Sequence, residues 1–150
     1  METLTQKENS IIHHLTNRTE VSVRFSEVDA LGIVWHGHYL KFFEDGREAF
    51  GKQYKLGYLD IYKENLATPL VNINVDYKKT VKYGDSVIIE TTFINSAAAK
   101  IIFHYKIYRA SDNELVAKGE STQVFITLEH ELFITLPPFF ENWKRENSLV

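Results

Sequence analysis

Residues 24–39 contain residue types that can do chemistry, among them the carboxylate of Asp29, two histidines and two glycines. This junction segment joins the end of a strand-like pattern to the start of the longest helical pattern in the chain. The backbone N–H groups at a helix N-terminus are free, and they stabilise negative charge that develops beside them. A carboxylate held nearby, such as Asp29, could act on a group that those amides polarise. We therefore predict a reactive site at this junction.

Two structural alternatives to catalysis apply here. Aspartate before a helix is usually an N-cap, but the helical pattern begins about seven residues after Asp29, too far for capping of its first turn. His36 and His38 could bind a metal with Asp29 or Glu44, but helical residues two apart face nearly opposite ways. The residues alone favour catalysis by Asp29 only slightly over a structural role. We predict no metal site.

Composition excludes several function classes. The chain has 150 residues, which suits one domain, and its formal net charge of −3 without a basic cluster argues against nucleic-acid binding. The absence of cysteine excludes a thiol nucleophile and a cysteine-ligated zinc. No apolar run approaches the roughly 20 residues of a membrane span, and the first residues lack a secretion-signal pattern. We expect a cytoplasmic protein without a membrane span.

The spacing of apolar residues predicts the elements that hold the junction. Alternation over 20–25 indicates a strand, and helical spacing indicates a helix over about 36–55. After a short segment at 58–65, strand-like runs predict four more strands, at 69–79, 85–95, 100–109 and 115–128, with alternation in the first and third. Their short connections favour antiparallel neighbours. The predicted fold is α+β, a curved antiparallel sheet of about five strands with one long helix across its concave face.

We divide the chain into three parts. Residues 1–19 form an N-terminal extension whose few apolar residues allow a short amphipathic helix, residues 20–136 form the domain, and residues 137–150 form an aromatic-rich tail. Pro137 and Pro138 should break any regular element there, and the tail should dock on the domain or on a partner subunit.

The helix and the sheet also predict packing and assembly. Gly46 and Gly51 would each cost about 1 kcal/mol relative to alanine inside the helix, which predicts close packing of the helix against a flat surface such as a sheet. A sheet of about five strands has open edges, and pairing with a second copy is a common way to cover them. We expect a homo-oligomer.

The junction resembles the signature of hotdog-fold acyl-CoA thioesterases of the 4-hydroxybenzoyl-CoA thioesterase type. The resemblance is carried by a spaced pattern on the loop and the helix, made up of Asp29, Gly32, His36, Tyr39, Glu44 and Arg47. Residues 76–79 and 83–85 also resemble the family, and the similarity extends over roughly 21–128. The N-terminal extension and the tail lie outside it.

The resemblance implies a hydrolase that cleaves the thioester of an acyl-CoA, with no cofactor, as a homodimer or homotetramer. Asp29 would be the catalytic carboxylate, acting either as a general base on water or as a nucleophile on the carbonyl carbon. The amide at or near His36 would bind the thioester oxygen. Both residues are thus implied catalytic residues.

The same resemblance implies a set of substrate contacts. Gly32 would let the loop approach the substrate closely, and Tyr39 would line the site with His36. Glu44 would orient other groups or simply form an ion pair with Arg47.

Coenzyme A and the acyl group need sites of their own. Lys79 and Lys82 are the candidates for the phosphates, although solvated lysines at strand ends would look the same. Trp35, Phe43 and Phe50 are candidates for the wall of an apolar acyl slot, but each one taken singly is better explained as a core residue.

Two other functions remain open at this stage. The same fold supports hydratases and dehydratases of CoA-linked acyl groups, which need an acid or base that acts on the acyl carbons. A non-catalytic acyl-CoA binding protein could use the same pocket without turnover.

Overall fold

The computed structural model of the protein describes residues 15–150. The helix predicted near the N-terminus falls almost entirely on residues 1–14 and so lies outside the described residues. Residues 16–19, which we assigned to the N-terminal extension, belong instead to the first strand, β1 (Thr16–Ser22). The domain therefore begins earlier than the alternation of apolar residues indicated.

The other elements follow the predicted order. Two short 3₁₀ turns, Phe25–Glu27 and His36–His38, lie within the junction segment. They are followed by α1 (Tyr39–Tyr54), α2 (Tyr58–Tyr62), β2 (Leu66–Ala67), β3 (Leu70–Tyr77), β4 (Ser86–Ile94), β5 (Lys100–Arg109), β6 (Leu115–Val124), β7 (Ile126–Thr127) and α3 (Pro138–Glu146). The long helix and the four later strands are confirmed.

Five of the strands form one antiparallel sheet with the order β1-β4-β5-β6-β3. Consecutive strands are neighbours in the β4, β5 and β6 portion, as predicted. The prediction is wrong for β3, which pairs with β6, while β1 takes the place beside β4. The chain therefore crosses the sheet after β3, and β3 becomes an edge strand. The predicted α+β architecture with about five strands is confirmed.

Helix α1 lies across the inner face of the sheet and packs against β1 and β4. Its aromatic residues fill the core, where Phe43 and Phe50 are fully buried. A Cβ atom on Gly46 would overlap the side chain of Thr91 on β4, so glycine allows this close approach, as predicted. Gly51 instead contacts the backbone of Gly57 just beyond the end of the helix.

The C-terminal tail docks on the domain through α3. The prediction that the two prolines break all regular structure is wrong, because Pro138 occupies the first turn of α3, where proline is well tolerated. The indole N–H of Trp143 donates a 2.7 Å hydrogen bond to the Tyr54 carbonyl, and its ring packs against Phe93. The helix thus covers one end of the core. No helix within residues 15–150 has the length and apolar character needed to span a membrane.

Candidate active site

The junction segment folds as a tight hairpin between β1 and α1. Val28 pairs with Val34 in an antiparallel bridge, and the Asp29 N–H donates a 2.9 Å hydrogen bond to the Ile33 carbonyl. The Gly32 N–H closes the turn by donating to the Asp29 carbonyl at 2.9 Å. Gly32 has a φ of 75°, so the turn itself requires glycine. A Cβ there would meet no atom of the described residues within 4 Å, so crowding does not add to this requirement.

Asp29 is half-buried at the start of this hairpin. Its Oδ1 accepts a 2.8 Å hydrogen bond from the Leu31 N–H, which fixes the side chain over the loop. Within residues 15–150, Oδ2 has no hydrogen-bond partner. One carboxylate oxygen therefore shapes the loop while the other is available to water or substrate.

The hairpin is anchored on both sides. The Val34 N–H donates to the Val81 carbonyl at 2.8 Å, and the Trp35 N–H donates to the Glu27 carbonyl at 2.9 Å. Glu27 is almost fully buried, and its Oε1 accepts a 2.7 Å hydrogen bond from the Arg24 N–H. Sequence reasoning missed Glu27. It lies three residues after Arg24, which is the spacing of a reciprocal cap at the start of a helical turn, and this spacing could have indicated its role.

The His36–His38 turn leads directly into α1. The His38 N–H donates to the Trp35 carbonyl at 2.9 Å, but in the described part of the chain the N–H groups of His36 and Gly37 have no acceptor. These are the free amides that the sequence predicted at the helix start. A Cβ on Gly37 would overlap the Trp35 ring, so glycine allows the indole to lie over this turn.

The two histidines of the turn do not converge. The rings of His36 and His38 pack against Trp35, at centroid distances of 4.7 and 5.7 Å. Among residues 15–150, no group of three or more histidine, aspartate or glutamate side chains is placed to hold a metal ion.

Tyr39 and Tyr77 contact each other beside the His36–His38 turn. Tyr39 is 3% exposed, and its ring meets the edge of the Tyr77 ring at 5.1 Å. Burial raises the pKa of Tyr39, Tyr77 adds to this effect and Arg109 opposes it. The Tyr77 hydroxyl donates a 2.7 Å hydrogen bond to the His36 carbonyl. Sequence reasoning missed this contact, because alternation places Tyr77 on the inner face of β3 without indicating what its hydroxyl reaches.

Glu44 lies exposed on α1. The alternative in which it pairs with Arg47 is wrong. Arg47 turns inward and donates a 3.0 Å hydrogen bond to the Tyr105 hydroxyl, since the helix presents its side chain to the sheet. The helix surface instead carries an ion pair between Glu48 and Lys52, at 3.3 Å.

The two candidate phosphate-binding lysines differ in their surroundings. Lys79 forms an ion pair with Glu114 at 3.1 Å, so its charge is already partly compensated. Lys82 is exposed, and its backbone pairs with Ile33 of the hairpin. Lys82 therefore lies beside the junction segment.

The three aromatic residues predicted as the wall of an acyl slot differ in exposure. Phe43 and Phe50 are core residues, whereas Trp35 is 48% exposed beside the turn. Two grooves of about 540 and 370 Å³ are present, and neither is lined by Asp29 or His36. The larger one lies over polar side chains on the outer face of the sheet. Neither of these two grooves therefore provides space for an acyl group beside Asp29.

The hairpin and the turn that follows it carry the parts needed to attack a carbonyl group. A carboxylate with one free oxygen is positioned by the loop, and free backbone N–H groups follow at the start of a 16-residue helix. Such amides stabilise the negative charge that forms on a carbonyl oxygen during attack. The arrangement suits hydrolysis of an ester or thioester.

Comparison with known proteins defines the class. The chain belongs to the thioesterase-like superfamily, whose family model matches residues 23–144, and its fold is the hotdog fold. A Bacillus subtilis (strain 168) protein named "Putative acyl-CoA thioesterase YneP" is 32% identical over 127 residues, covering 85% of this chain and 91% of that protein. A 1,4-dihydroxy-2-naphthoyl-CoA hydrolase of Microcystis aeruginosa is 25% identical over 122 residues, covering 81% and 87%.

Solved structures agree with this assignment. A DHNA-CoA thioesterase from Staphylococcus aureus superimposes with a TM-score of 0.79 at 25% identity, covering 89% of each chain. A 4-hydroxybenzoyl CoA thioesterase from Pseudomonas sp. strain CBS-3 gives a TM-score of 0.75 at 20% identity, covering 85% of this chain and 98% of that one. The second likeness concerns the fold alone. The family resemblance seen in the sequence is confirmed.

Proposed function

We propose that this protein hydrolyses acyl-CoA thioesters, with Asp29 as the catalytic carboxylate and the amides at the His36 turn as donors to the thioester oxygen. Membership of the thioesterase-like superfamily and the names of its relatives support the reaction. The residue assignment is supported by the hairpin that carries Asp29 and leads into the turn with the free N–H groups of His36 and Gly37.

The chemistry follows two routes that differ in the role of Asp29. As a general base, Asp29 takes a proton from water while the water oxygen attacks the carbonyl carbon. As a nucleophile, it forms a mixed anhydride that water then hydrolyses. In both routes the C–S bond breaks, the coenzyme A thiolate takes up a proton, and one water is consumed. The amides of the turn stabilise the oxyanion in either route.

The proposed substrate contacts come from residues other than Asp29 and His36. Lys82 is our preferred contact for the phosphates of coenzyme A, with Lys79 as a weaker candidate because Glu114 compensates its charge. Gly32, Tyr39 and Glu44 complete the predicted set of substrate-binding residues, with Gly32 acting through the shape of the loop and Tyr39 through support of the turn. We also propose a cytoplasmic location.

We further propose that the active form is a homodimer or homotetramer. Edge strand β3 exposes Leu70 by 40%, Val71 by 58% and Tyr77 by 50%, and an exposed apolar edge favours pairing with another chain. A second copy would also help to enclose an acyl group beside Asp29, where neither of the two grooves lies. Light scattering coupled to gel filtration tests this with Val71→Lys, which should shift the protein towards monomer. Identical oligomers of both proteins would contradict pairing at β3.

The decisive experiment measures thiol release from a panel of acyl-CoAs that varies in chain length and aromatic character. Wild-type protein should turn over part of the panel, and Asp29→Asn should lower kcat by about 10²–10⁴, the usual contribution of a positioned acid or base. Asp60→Asn is the matched control. Its carboxylate also accepts a 2.8 Å hydrogen bond from a backbone N–H, that of Gly57, at the other end of α1.

The same panel separates the other functions. Hydration of an enoyl-CoA without thiol release would indicate a hydratase. Saturable binding of acyl-CoA without turnover would indicate a binding protein. Equal turnover by wild type and Asp29→Asn would overturn the assignment of Asp29 while leaving the reaction itself in place.

A further inference from the structure

The hydrogen bond from the Tyr77 hydroxyl to the His36 carbonyl connects two parts of the chain that are 41 residues apart. Tyr77 is the last residue of edge strand β3, and His36 begins the turn that precedes α1. Helix α1 packs mainly on β1 and β4, at the opposite side of the sheet. The Tyr77 hydroxyl thus links the turn before α1 to β3, whereas the rest of α1 packs mainly on β1 and β4.

The acceptor of this bond is part of a peptide group with a free donor. The His36 carbonyl and the Gly37 N–H belong to one planar unit, in which the two bonds point in opposite directions. A hydrogen bond that holds the carbonyl therefore also fixes the direction of the Gly37 N–H. It also polarises the peptide group, which makes the N–H a stronger donor. Within the described residues, this N–H has no acceptor of its own.

Neighbouring groups contact both the Tyr77 ring and the peptide group that its hydroxyl binds. Its ring stands perpendicular to the buried ring of Tyr39, at 5.1 Å between centroids. The Tyr39 N–H donates to the same His36 carbonyl, so this oxygen accepts one bond from the helix and one from the sheet. On the other side, the Trp35 ring lies where a Gly37 side chain would be.

We propose that Tyr77 is a positioning residue for thioester hydrolysis. Its hydroxyl holds the His36–Gly37 peptide so that the free Gly37 N–H faces the thioester oxygen. The inference rests on the proposed function, since it assigns to Tyr77 the preorganisation of the oxyanion donors. The hydroxyl itself does not touch the substrate, and it acts through the peptide group that it binds.

The test is Tyr77→Phe, which removes the hydroxyl and keeps the ring against Tyr39. Complete loss of one oxyanion donor costs about 10²–10³ in kcat, and a donor that is only less well oriented should cost about 10-fold. KM should change less than 2-fold by a rough estimate, because only the charge in the transition state is affected. Tyr58→Phe is the control, since Tyr58 is 72% exposed on α2 beyond the other end of α1.

A second substrate makes the readout specific to the oxyanion. In a dithioester analogue of the best acyl-CoA, sulfur replaces the carbonyl oxygen and accepts hydrogen bonds poorly. The hydroxyl should then matter less, so Tyr77→Phe should lower kcat for the dithioester by a smaller factor than for the thioester. A merely structural role would lower both rates by the same factor.

The outcomes distinguish this inference from the proposed function. Wild-type kcat in Tyr77→Phe, together with an inactive Asp29→Asn, would overturn the role of Tyr77 and leave thioester hydrolysis standing. Equal factors for the two substrates, or a changed KM with unchanged kcat, would also overturn it. Absence of wild-type turnover on the whole acyl-CoA panel would remove the proposed function, and the inference with it.

Discussion

The carboxylate of Asp29 accepts a 2.8 Å hydrogen bond from the N–H of Leu31, two residues further along the same loop. This bond gives the carboxylate a structural role in addition to the chemical role that we propose for it. The two roles can be separated, because the amide oxygen of asparagine can accept the same bond but cannot serve as a base or nucleophile. Alanine can do neither.

Asp29→Asn should therefore lose most of its activity but be as stable as wild type, whereas Asp29→Ala should lose most of its activity and also be less stable. Loss of the Leu31 bond should cost about 1 kcal/mol, which lowers Tm by about 3 °C for a chain of this size. Thermal unfolding followed by circular dichroism measures the difference. If both variants melt together well below wild type, asparagine does not preserve the loop.

The loop and the free amides of the candidate site could be predicted because their signals are local. A carboxylate, a turn glycine and the start of a helical pattern can all be read within 24–39, and the structure forms the hairpin and the free amides there. Strand existence was equally local, since β4 and most of β5 alternate between buried and more exposed residues. The neighbour of β3 could not be predicted this way, because its pairing with β6 depends on competition between distant strands for the same edge.

The supporting contacts of the site were missed for a similar reason. Tyr77 reaches His36 across 41 residues, and apolar alternation describes the face of a strand without giving the target of a hydroxyl. Glu27 looks like a surface residue in the sequence, yet it is buried because backbone hydrogen bonds fix it within the 3₁₀ turn. Helix α3 was missed because proline was treated as a breaker at a position where it can start a helix.

Gly46→Ala should destabilise the protein by about 1–3 kcal/mol, despite the roughly 1 kcal/mol by which alanine is favoured in a helix. The new methyl group would overlap the side chains of Thr91 and Ile89, so α1 would have to move away from β4. Urea unfolding gives the free energy of unfolding. Glu48→Ala on the exposed face of the same helix is the control and should change it by about 0.5 kcal/mol or less. A more stable Gly46→Ala protein would contradict this packing.

Asp45→Asn should stabilise the protein at neutral pH. Burial raises the pKa of Asp45, the carboxylates of Glu27 and Glu44 add to this, and the positive charges of Lys41 and Arg24 oppose it. As pH rises from the unfolded pKa of about 3.9, the unfolded state ionises first, so the charged aspartate lowers the free energy of unfolding.

The advantage of Asp45→Asn should therefore shrink as pH falls and vanish below about pH 4, where aspartate is neutral in both states. Melting temperatures of the variant and the wild type, compared from pH 3.5 to 7, measure this difference. A difference in Tm that stays constant over this range would show that burial of the charge is not the cause.

The hydroxyl of Tyr105 is held between two partners beneath α1. It accepts a 3.0 Å hydrogen bond from Arg47 and lies 2.5 Å from the Ser121 hydroxyl. Tyr105→Phe should cost about 1–3 kcal/mol, because both partners lose a buried hydrogen bond. Tyr105→Phe with Ser121→Ala should regain part of this loss, since the orphaned hydroxyl is removed as well.

Tyr105→Phe should also change how the free energy of unfolding depends on pH in the alkaline range. Burial raises the pKa of Tyr105, and Arg47 and Ser121 only partly oppose this effect. Above the usual tyrosine pKa of about 10 the unfolded state ionises first, so wild type should lose stability with rising pH faster than Tyr105→Phe does. Other groups that titrate there, including Tyr39, are common to both proteins and cancel in the difference. Urea unfolding at pH 8 and pH 10.5 measures it, and a gap between the two proteins that does not narrow with pH would contradict the buried, neutral hydroxyl.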